Sequence, residues 1–191
     1  MQSLQSRTWL AVRGKTPEAA LADLGLRAGM AVTRRGRFAI EGARSDAGWY
    51  LIVASGWNHR LIAPDVLATL GAGCEVVTCT ADERNLASAA VGWTDGRQIW
   101  ALRYEGEDHP GEVVVEGNLP PAVATIRQEF IEKSQSEDAG DLLLDPLFEM
   151  AIAVVQRETD YRPDEPSPAF DGRFVMLEAV NPTIYQRLFG G

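Results

Sequence analysis

The sequence predicts an α+β fold, a mainly antiparallel sheet backed by helices. Three observations carry it. Short apolar runs of strand length recur between Gly, Pro, Asn and Asp turn signals. Asp95-Gly96 joins two such runs in the strongest short hairpin signal there is. Two longer stretches after Pro120-Pro121 and Asp145-Pro146 repeat apolar residues at helical spacing. At 191 residues, 46% apolar and 24% charged, the chain is long enough for one well-buried core. The expected organisation is a single domain over 1–191, with a ferredoxin-like portion at 8–80 and a hairpin and helical portion at 81–191.

The elements follow in order. Thr8 to Arg13 reads as a strand. Thr16-Pro17-Glu18 supplies an N-cap and an N1 proline for a short helix that Gly25 closes. Arg37 to Glu41 and Trp49 to Ala54 are the next strands. In the second, Trp49, Tyr50, Leu51, Ile52 and Val53 put apolar groups on both faces, as a central strand requires. Pro64 opens a helix ending near Gly71, and Cys74 to Thr80 is a fourth strand. Residues 8–80 thus spell strand, helix, strand, strand, helix, strand, the order of a ferredoxin-like split unit.

Leu86 to Trp93 and Arg97 to Tyr104 form the Asp-Gly hairpin. An unbroken register sets Val91 opposite Trp100 and predicts one face with Ala89, Val91, Trp93, Trp100 and Leu102. The other face, Ser88, Ala90, Gly92, Ile99 and Ala101, is small enough to admit a closely packed helix. Glu112 to Glu116 is a further strand with Val113 and Val115 inward. In the first long helix Val123, Ile126, Phe130 and Ile131 make the apolar stripe; in the second, Leu147, Phe148, Ala151, Ile152 and Val155 do, widened by Met150 and Val154. Three prolines between Thr159 and Pro168 mark a surface linker. Arg173 to Val180 returns as a strand, and Asn181-Pro182 starts a terminal helix.

Charge excludes some function classes. Met1 to Arg60 holds nine basic and four acidic residues, whereas Tyr104 to Gly191 holds six basic and eighteen acidic, within a net charge of −9. Either the two ends neutralise each other in the fold, or an acidic surface faces a basic partner. Acidity argues against duplex nucleic acid, which needs clustered Lys and Arg; Arg34, Arg35 and Arg37 are the sole basic cluster. No run is long and apolar enough to predict a membrane span, and Met1 to Arg13 lacks the features of a secretory signal. The expected location is the cytosol. Cys74 and Cys79, five apart on one strand, point to opposite faces and read as buried, reduced thiols.

The candidate residues for chemistry are few. His59, in Ser55-Gly56-Trp57-Asn58-His59-Arg60, lies just past the most apolar strand, where loops often carry function. In an enzyme reading, a small hydrolase or transferase, His59 is the general base, Arg60 binds an anionic group and Trp57 forms a wall; Glu105, Glu107 and Asp108 are the nearest acids to orient the ring. A turn histidine that only caps a strand end fits the same residues. His109 sits among Glu105, Glu107 and Asp108, but the spacing is not that of a calcium loop. Glu137, Asp138, Asp141 and Asp145 read as a loop and an N-cap. Gly71-Ala72-Gly73 leads from helix into strand, the reverse of a phosphate-binding turn. Neither a cofactor nor a metal site is expected.

The segments Gly71-Ala72-Gly73-Cys74-Glu75-Val76-Val77, Trp93-Thr94-Asp95-Gly96-Arg97-Gln98-Ile99-Trp100 and Asp160-Tyr161-Arg162 resemble a group of small bacterial proteins with no assigned activity. The resemblance implies a bacterial cytosolic domain and transfers no functional residue. The expected function is that of a non-enzymatic interaction module, an acidic, immunity-like protein that covers a basic protein partner. The His59 enzyme and a small-molecule-binding module on the Trp93/Trp100 face are the alternatives.

Overall fold

A computed structural model of the chain describes residues 6–32, 39–135, 145–170 and 173–181. The first strand, β1 (Ser6–Arg13), leads into α1 (Pro17–Asp23), where the Thr16 side chain accepts from the Ala19 amide at 3.2 Å and the Leu24 amide closes the far end. Then come β2 (Leu26–Ala31), β3 (Ile40–Arg44) and β4 (Tyr50–Ser55). A 3-10 turn (Arg60–Ile62) and α2 (Pro64–Leu70) precede β5 (Glu75–Asp82), β6 (Ala87–Thr94), β7 (Arg97–Glu105) and β8 (Val113–Gly117). The remainder is α3 (Pro121–Ser134), α4 (Pro146–Thr159), a second 3-10 turn (Pro168–Phe170) and β9 (Val175–Ala179).

Among the described residues the strands form one antiparallel sheet in the order β2-β9-β3-β4-β1-β5-β6-β7-β8. The α+β class is as the sequence predicts. The inner four, β3-β4-β1-β5, stand in the order of a split β-α-β-β-α-β unit, with α1 and α2 on one face. One strand, β2, is an addition the sequence does not announce: of Leu26–Ala31 only Leu26 is buried, so the alternation that marks a half-buried strand is missing. It pairs with β9, so the chain's late strand is inserted between β2 and β3.

Both faces of the sheet are covered in the middle. Leu10, Val12, Tyr50, Ile52 and Val76 meet Leu21 of α1, Leu24 at its C-terminal end, and Leu67 and Leu70 of α2. On the other side Trp9, Leu51, Cys79, Ala90 and Leu102 meet α3 and α4. Successive residues of β4 alternate between these layers, which is why its apolar run is unbroken. The cysteines divide in the same way: both are free and buried, Cys74 in the α1/α2 layer and Cys79 beneath α4. Burial pushes both thiols above their ordinary pKa, so neither is an activated nucleophile.

The hairpin turn forms at Asp95-Gly96, with φ of 50° and 71°, and pairs Thr94 with Arg97 and Trp93 with Gln98. The register then slips. Gly92 faces Trp100, leaving Ile99 as the extra residue of a bulge, 43% exposed. This corrects the expected hairpin faces: Trp93 packs in the α1/α2 layer and Trp100 in the α3/α4 layer. The cause is steric. An added Cβ on Gly92 would lie 2.2 Å from Trp100 Nε1, so the indole occupies the space a side chain would take. The small half-face of Ser88, Ala90 and Gly92 still receives α4, opposite Tyr104, Leu102 and Trp100. On β8, Val113 is half-buried, but Val115 is 38% exposed because the strand is the edge of the sheet.

The expected terminal helix and the Arg34, Arg35, Arg37 cluster lie outside the described residues, as do Glu137, Asp138 and Asp141. Asp145 is the N-cap of α4: its Oδ1 accepts from the Leu147 amide at 2.8 Å, and its other oxygen takes the Tyr104 hydroxyl. No described helix is long and apolar enough to cross a membrane.

Candidate functional site

One end of the sheet gathers the start of β1, the loop after β4 and the β5–β6 and β7–β8 turns. The loop after β4 is fastened there by two buried threonines. Thr8 Oγ1 accepts from the His59 amide at 3.1 Å and Thr80 Oγ1 from the Asn58 amide at 2.9 Å, while the two hydroxyls sit 3.0 Å apart. Thr8 also donates to the Gly56 carbonyl at 2.8 Å. Thr8 and Thr80 are 1% and 3% exposed, so their hydroxyls are held in place and give this loop a fixed shape.

His59 itself is the N-cap of the 3-10 turn. Its Nδ1 accepts from the Leu61 amide at 3.2 Å, which fixes Nδ1 as an acceptor and leaves the proton on Nε2. Among the described residues no carboxylate hydrogen-bonds to the ring. Arg60 is exposed and bridges to Asp65 at 2.6 Å. Trp57 lines a cavity beside this turn, and His59 and Arg60 are not among the residues that line it.

That cavity is a groove of about 360 Å³ between α2 and the part of the sheet that α2 leaves open. Trp57, Ile62, Pro64 and Leu67 make its wall; Thr78, Val91 and Trp93 lie across from them; Arg103 and Glu105 stand at the β7 end. Arg103 is already paired with Glu116, which also accepts from Gln98 at 2.9 Å. The Trp93 indole N–H has no hydrogen-bond partner. The fold therefore brings Glu105 to the groove that Trp57 lines, without joining it to His59. The bulge packs the two rings in opposite layers, Trp93 with α1 and α2 and Trp100 with α3 and α4, yet both residues border a further groove of about 240 Å³ beside Arg13, Trp49 and Val123.

The β7–β8 turn supplies the site's charge. Glu105, Glu107, Asp108 and Glu112 fall within eight residues, all exposed, and no described basic group pairs with any of them. Several basic residues elsewhere are committed: Arg13 to Glu75, Lys15 to Asp23, Arg27 to Glu178 and Arg173 to Asp46. The Arg27–Glu178 pair sets a base of the basic end against an acid of the acidic end, whereas Arg173–Asp46 runs the other way, and the turn is left out of both. His109 lies in the same turn, exposed, and no group of metal-ligating side chains occurs among the described residues.

Burial lowers the His59 pKa below its ordinary 6.5. An unfolded chain therefore takes up this proton first on acidification. The neutral ring's contribution is complete above 6.5 and is lost as pH falls through the folded value. His59→Asn keeps an acceptor for the Leu61 amide but does not titrate. Urea midpoints measured from neutral to mildly acid pH will fall less steeply for His59→Asn than for the wild type; parallel curves would show that the ring is neutral for no structural reason. No family model, curated protein or solved structure matches this chain.

Proposed function

We propose that this protein is a non-enzymatic interaction module that offers its acidic sheet end to a basic protein partner. The observation that carries the reading is the set of four carboxylates on the β7–β8 turn that no described basic group neutralises. Unpaired like charges repel one another, and a fold that gains nothing from them keeps them at little benefit unless something outside binds them. Two neighbours suit a basic chain segment. Glu105 shares the groove with Trp57, an acid and an aromatic ring against which a Lys or Arg side chain can lie. Next to the turn, β8 is an edge strand with Val114 and Val115 exposed, a template for an added strand. The buried free thiols suit a reducing compartment, and we place this encounter in the cytosol.

The test is affinity capture from native lysate with the wild-type chain and with a variant carrying Glu105→Gln, Glu107→Gln, Asp108→Asn and Glu112→Gln. The wild type will retain a stoichiometric protein with a basic surface at low salt and less of it at high salt. The neutralised variant will lose it in both conditions. No stoichiometric partner, or one that the variant retains equally well, would overturn the reading.

A further inference from the structure

A second groove, of about 400 Å³, lies at the opposite flank of the sheet, between α1 and strands β2, β3, β4 and β9. Its body is apolar, with Pro17, Leu21, Leu26 and Val175 among the lining residues. Tyr50 and Arg44 are direct cross-strand partners, so both project to this side. Tyr50 is only 5% exposed, and its hydroxyl lies over Gly42, where an added Cβ would come within 2.7 Å of the oxygen. That hydroxyl has no hydrogen bond to any described residue. Burial, with the charge of Glu18, holds its pKa up to about 12, so it remains a donor at any physiological pH.

The charged residues of the groove divide into committed and uncommitted. Arg173 closes on Asp46 with two bonds of 2.7 and 2.9 Å, and Arg27 on Glu178 at 2.8 Å. Arg44 and Glu18 both line the groove, yet pair neither with each other nor with another described residue. Glu18 alone would be explained by its place in the first turn of α1, and Arg44 alone as a solvated strand residue. Beside them stands the Tyr50 phenol, a nearly buried side chain whose hydroxyl has no partner among the described residues, so three polar groups of the groove are uncommitted there.

We propose that this groove binds a zwitterionic small molecule with an apolar body, in the class of α-amino acids with a large apolar side chain. The ligand carboxylate lies on the Arg44 guanidinium and the Tyr50 hydroxyl, its ammonium group on Glu18, and its side chain against Leu21, Leu26 and Val175.

Isothermal titration of the full chain with L-phenylalanine, 3-phenylpropionate and 2-phenylethylamine tests this. Phenylalanine will bind one to one, and each truncated probe will bind about tenfold more weakly or worse, the worth of one charged hydrogen bond. Arg44→Ala and Tyr50→Phe will weaken phenylalanine and phenylpropionate but not phenylethylamine; Glu18→Gln will weaken phenylalanine and phenylethylamine but not phenylpropionate. Circular dichroism will show all three variants folded, since none of these side chains is hydrogen-bonded to a described residue. The proposal is overturned if phenylalanine fails to bind at millimolar concentration, if either truncated probe matches it, or if Arg44→Ala leaves its affinity unchanged.

Discussion

Gly92→Ala will destabilise the protein by about 3 kcal/mol, the upper end of what forcing an atom into a packed core costs. The new Cβ would lie 2.2 Å from Trp100 Nε1 and 2.4 Å from Cε2, and Trp100 cannot swing away because it is itself 5% exposed beneath the α3/α4 layer. The sign of the effect reports the register. Without the bulge at Ile99, Gly92 and Trp100 would not face one another, and replacing a strand glycine by alanine would stabilise by roughly 0.5–1 kcal/mol through lost unfolded-state entropy. Urea unfolding of the single variant therefore distinguishes the two pairings: loss of stability supports the slipped register, and a gain contradicts it.

Arg162→Ala will cost about 3–5 kcal/mol, because it leaves buried carboxylates without their cation. The Arg162 side chain is 12% exposed and grips Glu149 of α4, 17% exposed, and Asp164, 8% exposed. It does so with both ends of its fork, donating to Asp164 at 2.8 and 3.1 Å and twice to Glu149. The neighbouring residues prepare this grip. Asp160 ends α4 in the left-handed conformation, with φ of 55°, and Tyr161 sets its ring edge-on to Phe170 at 5.6 Å. Asp160-Tyr161-Arg162 is thus the clasp that folds the proline-rich segment back onto α4. Arg162→Lys will recover only part of the loss, as an ammonium cannot hold two carboxylates in one plane. A loss below about 1 kcal/mol for Arg162→Ala would mean that water screens the cluster as it does a surface pair.

Much of this architecture is legible in the sequence where one local rule decides the outcome. Thr16-Pro17, Pro64 and Asp145-Pro146 place helix starts because a cap and a fixed φ suffice there. Trp49 to Ala54 reads as a central strand since only a doubly covered strand tolerates so unbroken an apolar run. The turn at Asp95-Gly96 is legible for the same kind of reason, but its register is not. A two-residue turn fixes the pairs next to it, and the bulge two pairs further on depends on where the Trp100 ring goes, which is a tertiary matter. The strand β2 escapes because its side chains are mostly exposed and its hydrogen bonds come from β9, about 150 residues away in sequence.

The candidate site divides along the same line. His59 stands out as a rare residue type after an apolar strand, yet its ring nitrogen is spent on the Leu61 amide. The residues that line the groove with Trp57 come from α2, β5, β6 and β7, and no sequence spacing joins them. Thr8 and Thr80, which anchor the loop, look like ordinary strand threonines until their partners are seen. The acidic turn, by contrast, is legible outright; what the fold adds is that no described arginine or lysine reaches it.

The most direct measurement of the central claim is the association rate of the captured partner with the wild-type chain and with the four-site neutralised variant, as salt rises. Long-range attraction accelerates encounter and is screened beyond about 10 Å at 0.1 M salt. The account predicts a fast rate for the wild type that falls steeply with salt, and a slower, nearly flat rate for the variant. Equal rates with the same salt dependence would contradict it, and would place the partner's contact elsewhere than at Glu105, Glu107, Asp108 and Glu112.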